Sequence, residues 1–379
     1  MDFELTEEQQ LIQAMAREFA QTKVAPIAAE IDQNHRFPSE LIPELQALNL
    51  LGIPLPEEYG GAGADAISYV LVIEELARAC ASTAIILSTH TSLCAWPIYK
   101  FGNEMQKKQY LSKLASGEWL GAFGLTEPSA GTDAASMKTI AVLEDDQWVL
   151  NGSKIFITNG AYADVFLIFA LTDPAHGTRG ISAFIVDKGT PGFSCGAEEK
   201  KMGIKASSTT PLYFSDCRIP RENLLGKEHK GFSIAMAALD VGRIGVAAQA
   251  LGIAQGALDA AVAYAKERIQ FGKPIASHEA IQWMIADCAT EIDAARMLVY
   301  RAAWNKDKGL PYSSEAAMAK LFASETATRV AGKAIQIHGG YGFTESYSVE
   351  RSYRDAKITE LYEGTSEVQR MVVSRSLLH

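Results

Sequence analysis

The chain has little of what builds disulfide frameworks and metal centres. Its five cysteines, Cys80, Cys94, Cys195, Cys217 and Cys288, are scattered and odd in number, with no Cys-x-x-Cys pair. That argues against structural disulfides and zinc and fits a reducing, cytoplasmic setting. The seven histidines form no His-x-His or His-x-x-x-His pair, so no metal site is expected. Excess positive charge is missing too. Thirty-five Lys and Arg against 45 Asp and Glu leave a net charge of −10, which disfavours nucleic-acid binding. Long apolar runs are absent, and the most apolar, such as 165–171, are strand length, so no membrane span is expected. The first residues are acidic and lack a secretory or transit pattern; Thr6 and Gln9 instead read as a capping box that opens a helix. There is no internal repeat or low-complexity segment.

What is present suits a multidomain globular protein. The 379 residues, 48% hydrophobic and 21% charged, are enough for two or three cores. Residues 1–118 read as a helical domain, with apolar residues at helical spacing through Leu11, Ile12, Met15 and Phe19 and an apolar, buried helix near 83–90. From 119 to 228 the pattern changes to short strands, 148–150, 154–158, 165–170, 182–186 and 212–214. Turns at 150–153 and 188–192, marked by Asn, Gly and Pro, separate them. The gaps leave no room for helices, so an antiparallel β domain is expected rather than a βαβ unit. Ala-rich helices return over about 233–267, 277–307 and 312–337, making 229–379 a second helical domain.

Several segments carry candidate chemistry. In Glu360-Leu-Tyr-Glu-Gly-Thr-Ser-Glu367, Glu363 precedes a glycine turn. Closed off from water, such a carboxylate rises from about 4.3 toward neutrality and can act as a general base; left open, it is a solvated loop residue. The loop from Phe123 to Asp133 combines Gly124, Pro128 and Gly131 with the hydroxyls of Thr126, Ser129 and Thr132. It can aim N–H groups at a phosphate or a heterocycle edge, or simply join two domains. Phe156 and Thr158 share one strand face, suited to stacking on and hydrogen bonding to a planar ring, or to core packing. Arg268 can pair with a phosphate and Phe271 can pack on an adenine, although a basic residue also suits a helix C-terminus. Gly339 and Gly340 allow close backbone approach to a phosphate or mark a helix stop, and His338 reads as a packed residue. Asp240 and Arg243 share a helix face as an ion pair or as contacts to a charged ligand.

These blocks, in this order and spacing, resemble the acyl-CoA dehydrogenase family over nearly the whole chain, with most likeness to its short-chain, butyryl-CoA branch. The resemblance implies an N-terminal all-α domain, a central antiparallel β-barrel domain and a C-terminal four-helix bundle. It implies FAD between the β domain and the bundle, reaching a neighbouring subunit of a homotetramer. Phe123, Gly124, Leu125, Thr126, Ser129, Gly131, Thr132, Phe156, Ile157 and Thr158 would line the flavin. Arg268, Phe271, Glu279, Gln336, Ile337, His338, Gly339, Gly340, Thr365, Ser366 and Glu367 would hold its pyrophosphate and adenosine end. Phe156 stands where many relatives carry tryptophan, and Glu279 where many carry glutamine. Thr132, Asp240, Val241, Gly242, Arg243 and Gly364 match substrate-contacting positions, and Ile85, Ile86 and Leu87 are candidates for the floor of a short acyl pocket.

By the same resemblance Glu363 is the base that takes the α-proton of a short-chain acyl-CoA while hydride passes to flavin N5. Its backbone N–H and a flavin ribityl hydroxyl would hold the thioester oxygen. Relatives that carry the base on the helix place it just before the residue matching Arg243; here that position is Gly242. The implied activity is butyryl-CoA to crotonyl-CoA or the reverse, with electrons exchanged with an electron-transferring flavoprotein. An acyl-CoA oxidase and a catalytically silent flavoprotein on the same fold are the alternatives.

Overall fold

A computed structural model describes residues 4–378. Helices run as far as Ala115, strands lie between Gly121 and Leu225, and helices resume at Gly231. The helix Glu7–Phe19 starts at the expected capping box: the Thr6 hydroxyl accepts from the Gln9 N–H, and the Gln9 side chain accepts from the Thr6 N–H. Helix Ala66–Ala79 is capped by Asp65 and buried along most of its length. The apolar segment near 83–90 forms helix Ala81–Ser88, which continues through a π-helical stretch, Thr89–Ala95, wholly buried.

His90 ties this helical domain to the sheet. Its Nδ1 lies 2.9 Å from the Gly121 N–H and must accept, so Nε2 carries the proton and donates to the Leu114 carbonyl at 3.0 Å. Burial pushes the imidazole down to about 4, which keeps it neutral.

The β domain contains β1 (Gly121–Gly124), β2 (Ile140–Glu144), β3 (Gln147–Thr158), β4 (Val165–Leu171), β5 (Ile181–Asp187), β6 (Phe193–Cys195), β7 (Thr209–Pro220) and β8 (Leu224–Leu225). Their order is β6-β7-β3-β2-β4-β5-β8, with β1 also on β4. Trp148 on β3 meets Phe184 on β5 edge-on at 5.2 Å although β2 and β4 lie between them in the sheet. The sheet therefore curls around its own core of Trp148, Phe166, Phe184, Leu212 and Phe214. The opposite side chains of β4 and β5, among them Phe169 and Ile185, pack on Ile234, Ala235 and Ala238 at the start of the next helix.

Two details differ from the sequence expectation. Residues 150–153 do not turn; they lie inside the single long strand β3, paired with β7 across a bulge. There Asn151 and Asp216 bond to each other, so turn-type residues serve a strand irregularity instead. The sheet is also mixed: β1 and β2 both run parallel to β4, while the other ladders are antiparallel. The chain enters β1 from the helical domain and makes the β2–β3 excursion before β4, so no hairpin forces opposite directions.

The C-terminal domain has three long helices, Gly231–Glu267, Glu279–Asp307 and Ser313–His338, and two shorter ones, Ser348–Thr359 and Ser366–Leu378. The 37-residue helix is long and apolar enough to cross a membrane, but 78% of its most apolar window is buried within the protein. It packs against both Ser313–His338 and Ala66–Ala79, and so forms the common wall of both helical domains.

Candidate active site

Glu363 lies in the turn between the last two helices. It has φ +55° and Gly364 has φ +97°, two left-handed residues in succession, of which only the glycine adopts the region without strain. The turn is fastened from several sides. The Ser366 N–H donates to the Glu360 carbonyl at 2.9 Å. The Gly364 carbonyl accepts from Lys320 Nζ at 2.6 Å and from Gln369 Nε2 at 2.8 Å. The Tyr362 hydroxyl bonds Gln249 on the long helix, and Gln249 donates to the Ala81 carbonyl at 2.9 Å.

This fastening carries the Glu363 carboxylate onto Gly242. A Cβ at 242 would lie 2.0 Å from Oε2, so the carboxylate fills the place of the missing side chain, with Leu93 beside it. Glu363 as a residue is partly accessible, but Oε2 is closed to solvent and has no hydrogen-bond partner among the described residues. Burial pushes its pKa up to about 7, against the opposing pull of Lys320 and Arg243. One turn along, Gly245 is covered by the Ser88 Oγ and the Tyr69 hydroxyl, themselves 2.9 Å apart. These three side chains and Lys320 were missed by sequence reading. Leu93, Ser88 and Tyr69 lie in helical segments buried along nearly their whole length, where no single position stands out, and Lys320 reads as an ordinary helix cation.

The substrate candidates Asp240, Val241 and Arg243 lie on the long helix beside Gly242. Asp240 and Arg243 form a pair 2.6 Å apart, and the Ser313 hydroxyl donates to the same Asp240 oxygen at 2.9 Å. The pair is not a surface one: Arg243 is buried and its Nε is unpartnered. Burial raises the Asp240 pKa. Val241 is packed inward. Ile85, Ile86 and Leu87 are all fully buried, Ile85 and Leu87 in the large helical core and Ile86 against Phe37 and Leu120.

The flavin-loop candidates divide into a buried foot and an open rim. Phe123, Gly124 and Leu125 are buried, with Phe123 tilted on Phe169 at 5.1 Å. Thr126 is half-buried and its carbonyl accepts from the Ile155 N–H at 2.9 Å. Beneath them Lys154 Nζ donates to Glu127 at 2.7 Å and to the Leu125 carbonyl at 3.2 Å, all out of water. Glu127 also accepts from the Lys138 and Thr139 N–H groups. Burial lowers the Lys154 pKa to about 8. Ser129, Gly131 and Thr132 are exposed. On β3 a register shift between Lys154 and Ile157 lets both turn inward, and Phe156, at φ +58°, is thrown outward and left 60% exposed beside the half-buried Thr158.

A second group lies at the far ends of the C-terminal helices. Arg268 caps the long helix and stands over the Tyr341 ring. Phe271, in the following hairpin, is 94% exposed, and Glu279 begins the next helix in the open. Gln336, Gly339 and Gly340 are exposed, whereas Ile337 and His338 face inward. His338 stacks on Tyr264 at 4.2 Å and bonds the Ala334 carbonyl, as a packed residue does. Thr365 caps the last helix through the Val368 N–H; Ser366 is buried with an unpartnered hydroxyl, and Glu367 is exposed.

These residues fit FAD. An aromatic held outward at a strained bulge offers a face to a ring system, and Gly131, Gly339 and Gly340 have nothing within 4 Å of where a Cβ would be, leaving backbone approachable by phosphate. The chain belongs to the acyl-CoA dehydrogenase family, whose members depend on FAD: the family's N-terminal, middle and C-terminal domain models match residues 6–118, 122–217 and 229–378. It is 58% identical to the acyl-CoA dehydrogenase, short-chain specific, of Clostridium acetobutylicum over 99% of both chains. The butyryl-CoA dehydrogenase structure from Megasphaera elsdenii superposes with a TM-score of 0.99 at 53% identity, covering all of both chains. A chain in a structure described as an electron transferring flavoprotein of Acidaminococcus fermentans also gives 0.99, at 57% identity and full coverage of both.

Proposed function

We propose that this protein carries out α,β-dehydrogenation of a short-chain acyl-CoA, butyryl-CoA to crotonyl-CoA or the reverse, with Glu363 as the base for the α-proton. The observation that carries this reading is the Glu363 carboxylate: one oxygen closed to solvent and unpartnered among the described residues, its pKa pushed up to about 7, and laid on the long helix at a position with no side chain. A base tuned to the working pH is what abstraction of a weakly acidic thioester α-proton requires. Bound FAD supplies the two-electron acceptor for the Cα–Cβ oxidation. Phe123–Thr132 and Phe156–Thr158 are the residues we assign to its ring system, and Arg268, Phe271, Glu279, 336–340 and 365–367 to its phosphates and adenosine.

The backbone N–H of Glu363 is suited to hold the thioester oxygen where charge develops, since the left-handed turn fixes its direction. Asp240, Arg243, Thr132 and Gly364 are the residues we assign to substrate contacts. Tyr69 and Ser88, packed on Gly245, close the space one helical turn beyond Glu363 and favour a short acyl chain. Exposed Phe271, Phe343 and Trp283 on the C-terminal domain support covering by further copies, consistent with a homotetramer; a sedimentation mass near that of one 41.0 kDa chain would refute it. An electron-transferring flavoprotein is the proposed redox partner and a cytoplasmic setting is proposed with it; rapid reoxidation by air in place of that partner would indicate an oxidase.

The test is anaerobic titration of the FAD-loaded protein with butyryl-CoA. The oxidised flavin band should bleach, with a rate that rises with pH through about 7 as Glu363 loses its proton. Glu363→Gln should retain FAD and fail to bleach; normal bleaching in that variant removes Glu363 from the reaction.

A further inference from the structure

Lys320 is a buried cation that the proposed chemistry does not use. It lies on helix Ser313–His338, is fully enclosed, and among the described residues its hydrogen-bond acceptor is the Gly364 carbonyl, at 2.6 Å. An ammonium costs several kcal/mol to desolvate, so a neutral carbonyl alone is a poor return for burying it. What lies next to that carbonyl is the proposed base. Gln369, also fully buried, donates to the same Gly364 oxygen at 2.8 Å and to the Glu363 carbonyl at 3.3 Å. Two donors from two different helices thus converge on the carbonyl of the residue that follows Glu363. They do so where a non-glycine residue is held at φ +55°. A left-handed glutamate costs energy and persists only where the surroundings over-determine it.

We propose that Lys320 is a positioning residue for the base: it clamps the Gly364 carbonyl so that the Glu363 carboxylate is held on Gly242. Its ammonium also favours the ionised form of that carboxylate. This rests on the reading of Glu363 as the base. The charged and titratable groups around the pair are few. The long helix contributes Arg243 with its partner Asp240, the turn contributes Glu360 and Tyr362, the last helix contributes Glu367, and helix Ala66–Ala79 contributes Tyr69. Of the two cations acting on Glu363, Lys320 has the larger effect, and Arg243 is already committed to Asp240. Glu363 in turn is the main charge holding Lys320 protonated against its burial, which brings the ammonium down to about 8. Clamp and base therefore support each other's charged forms.

The experiment is the pH dependence of butyryl-CoA-driven flavin bleaching, measured by anaerobic stopped flow on FAD-loaded wild type and three variants. Lys320→Met removes both clamp and charge. Its acid limb should move up by on the order of one pH unit, because a nearby cation normally holds a carboxylate down by that much, and its plateau should fall. Lys320→Arg keeps the charge and should keep the wild-type limb. Gln369→Leu removes only the second donor and should lower the plateau with the limb unmoved. A Lys320→Met limb identical to wild type overturns the charge role. A Gln369→Leu plateau equal to wild type overturns the clamp, and that comparison stands even if Lys320→Met does not fold. A wild-type protein that binds FAD but does not bleach fails the substrate reading instead, and a wild type that bleaches with no acid limb fails the reading of Glu363 as base.

Discussion

At position 242 the long helix has no side chain, and the carboxylate of Glu363 occupies the volume one would need. Base and glycine are therefore a single steric unit contributed by segments 121 residues apart. Gly242→Ala should be accommodated by the helix, where alanine is the better helix former, yet it must push Oε2 away from its seat. A displacement of about an ångström in a reacting group costs on the order of 10²-fold in rate. The expected result is a folded, FAD-containing protein whose bleaching by butyryl-CoA is slowed by about that factor; an unchanged rate constant would show that the seat does not position the base. Glu363 itself was legible in the sequence because glycine, threonine and serine follow it in a recognisable turn. Its desolvation was not, since Gly242, Leu93 and Lys320 come from remote segments with no local signature.

The edge we assign to the flavin depends on one strand. The β3–β7 ladder has two bulges, one on β7 at Asp216, opposite Asn151, and one on β3 between Lys154 and Ile157, and the second turns Phe156 outward. The hydrophobic pattern of 148–158 reveals strand residues but not their continuity, because Asn151 and Gly152 look like a turn until Asp216 is found opposite. The parallel direction of β1 and β2 against β4 is likewise invisible locally, since direction follows from the path between strands. The Lys154–Glu127 pair holds this edge to the loop above it. Breaking a buried pair leaves an uncompensated charge and costs roughly 3–5 kcal/mol. Lys154→Met should therefore lower the thermal midpoint and release FAD more readily on dilution; a melting curve and flavin content equal to wild type would mean that another contact shapes the loop.

Across the whole molecule, the order helical, β, helical was readable from periodicity, and helix limits came within a few residues because capping residues and glycines mark them. The joints between domains were not readable. His90 and the long helix make them, and neither announces a tertiary role in sequence. The desolvated carboxylate of Glu363 also has a global consequence. Its folded pKa of about 7 lies above the ordinary 4.5, so between those values the native state holds a proton that the unfolded chain has released. Stability tied to this group is complete below about 4.5 and declines as pH rises toward 7, by roughly 3 kcal/mol in total. Above pH 7, Glu363→Gln should thus melt higher than wild type, and below about 4.5 the two should converge; a constant difference across pH would contradict the linkage. Glu363 contributes least to the stability of the fold under the conditions that would ready it for the proposed proton abstraction, and a ligand that reprotonates it would act as a stabiliser.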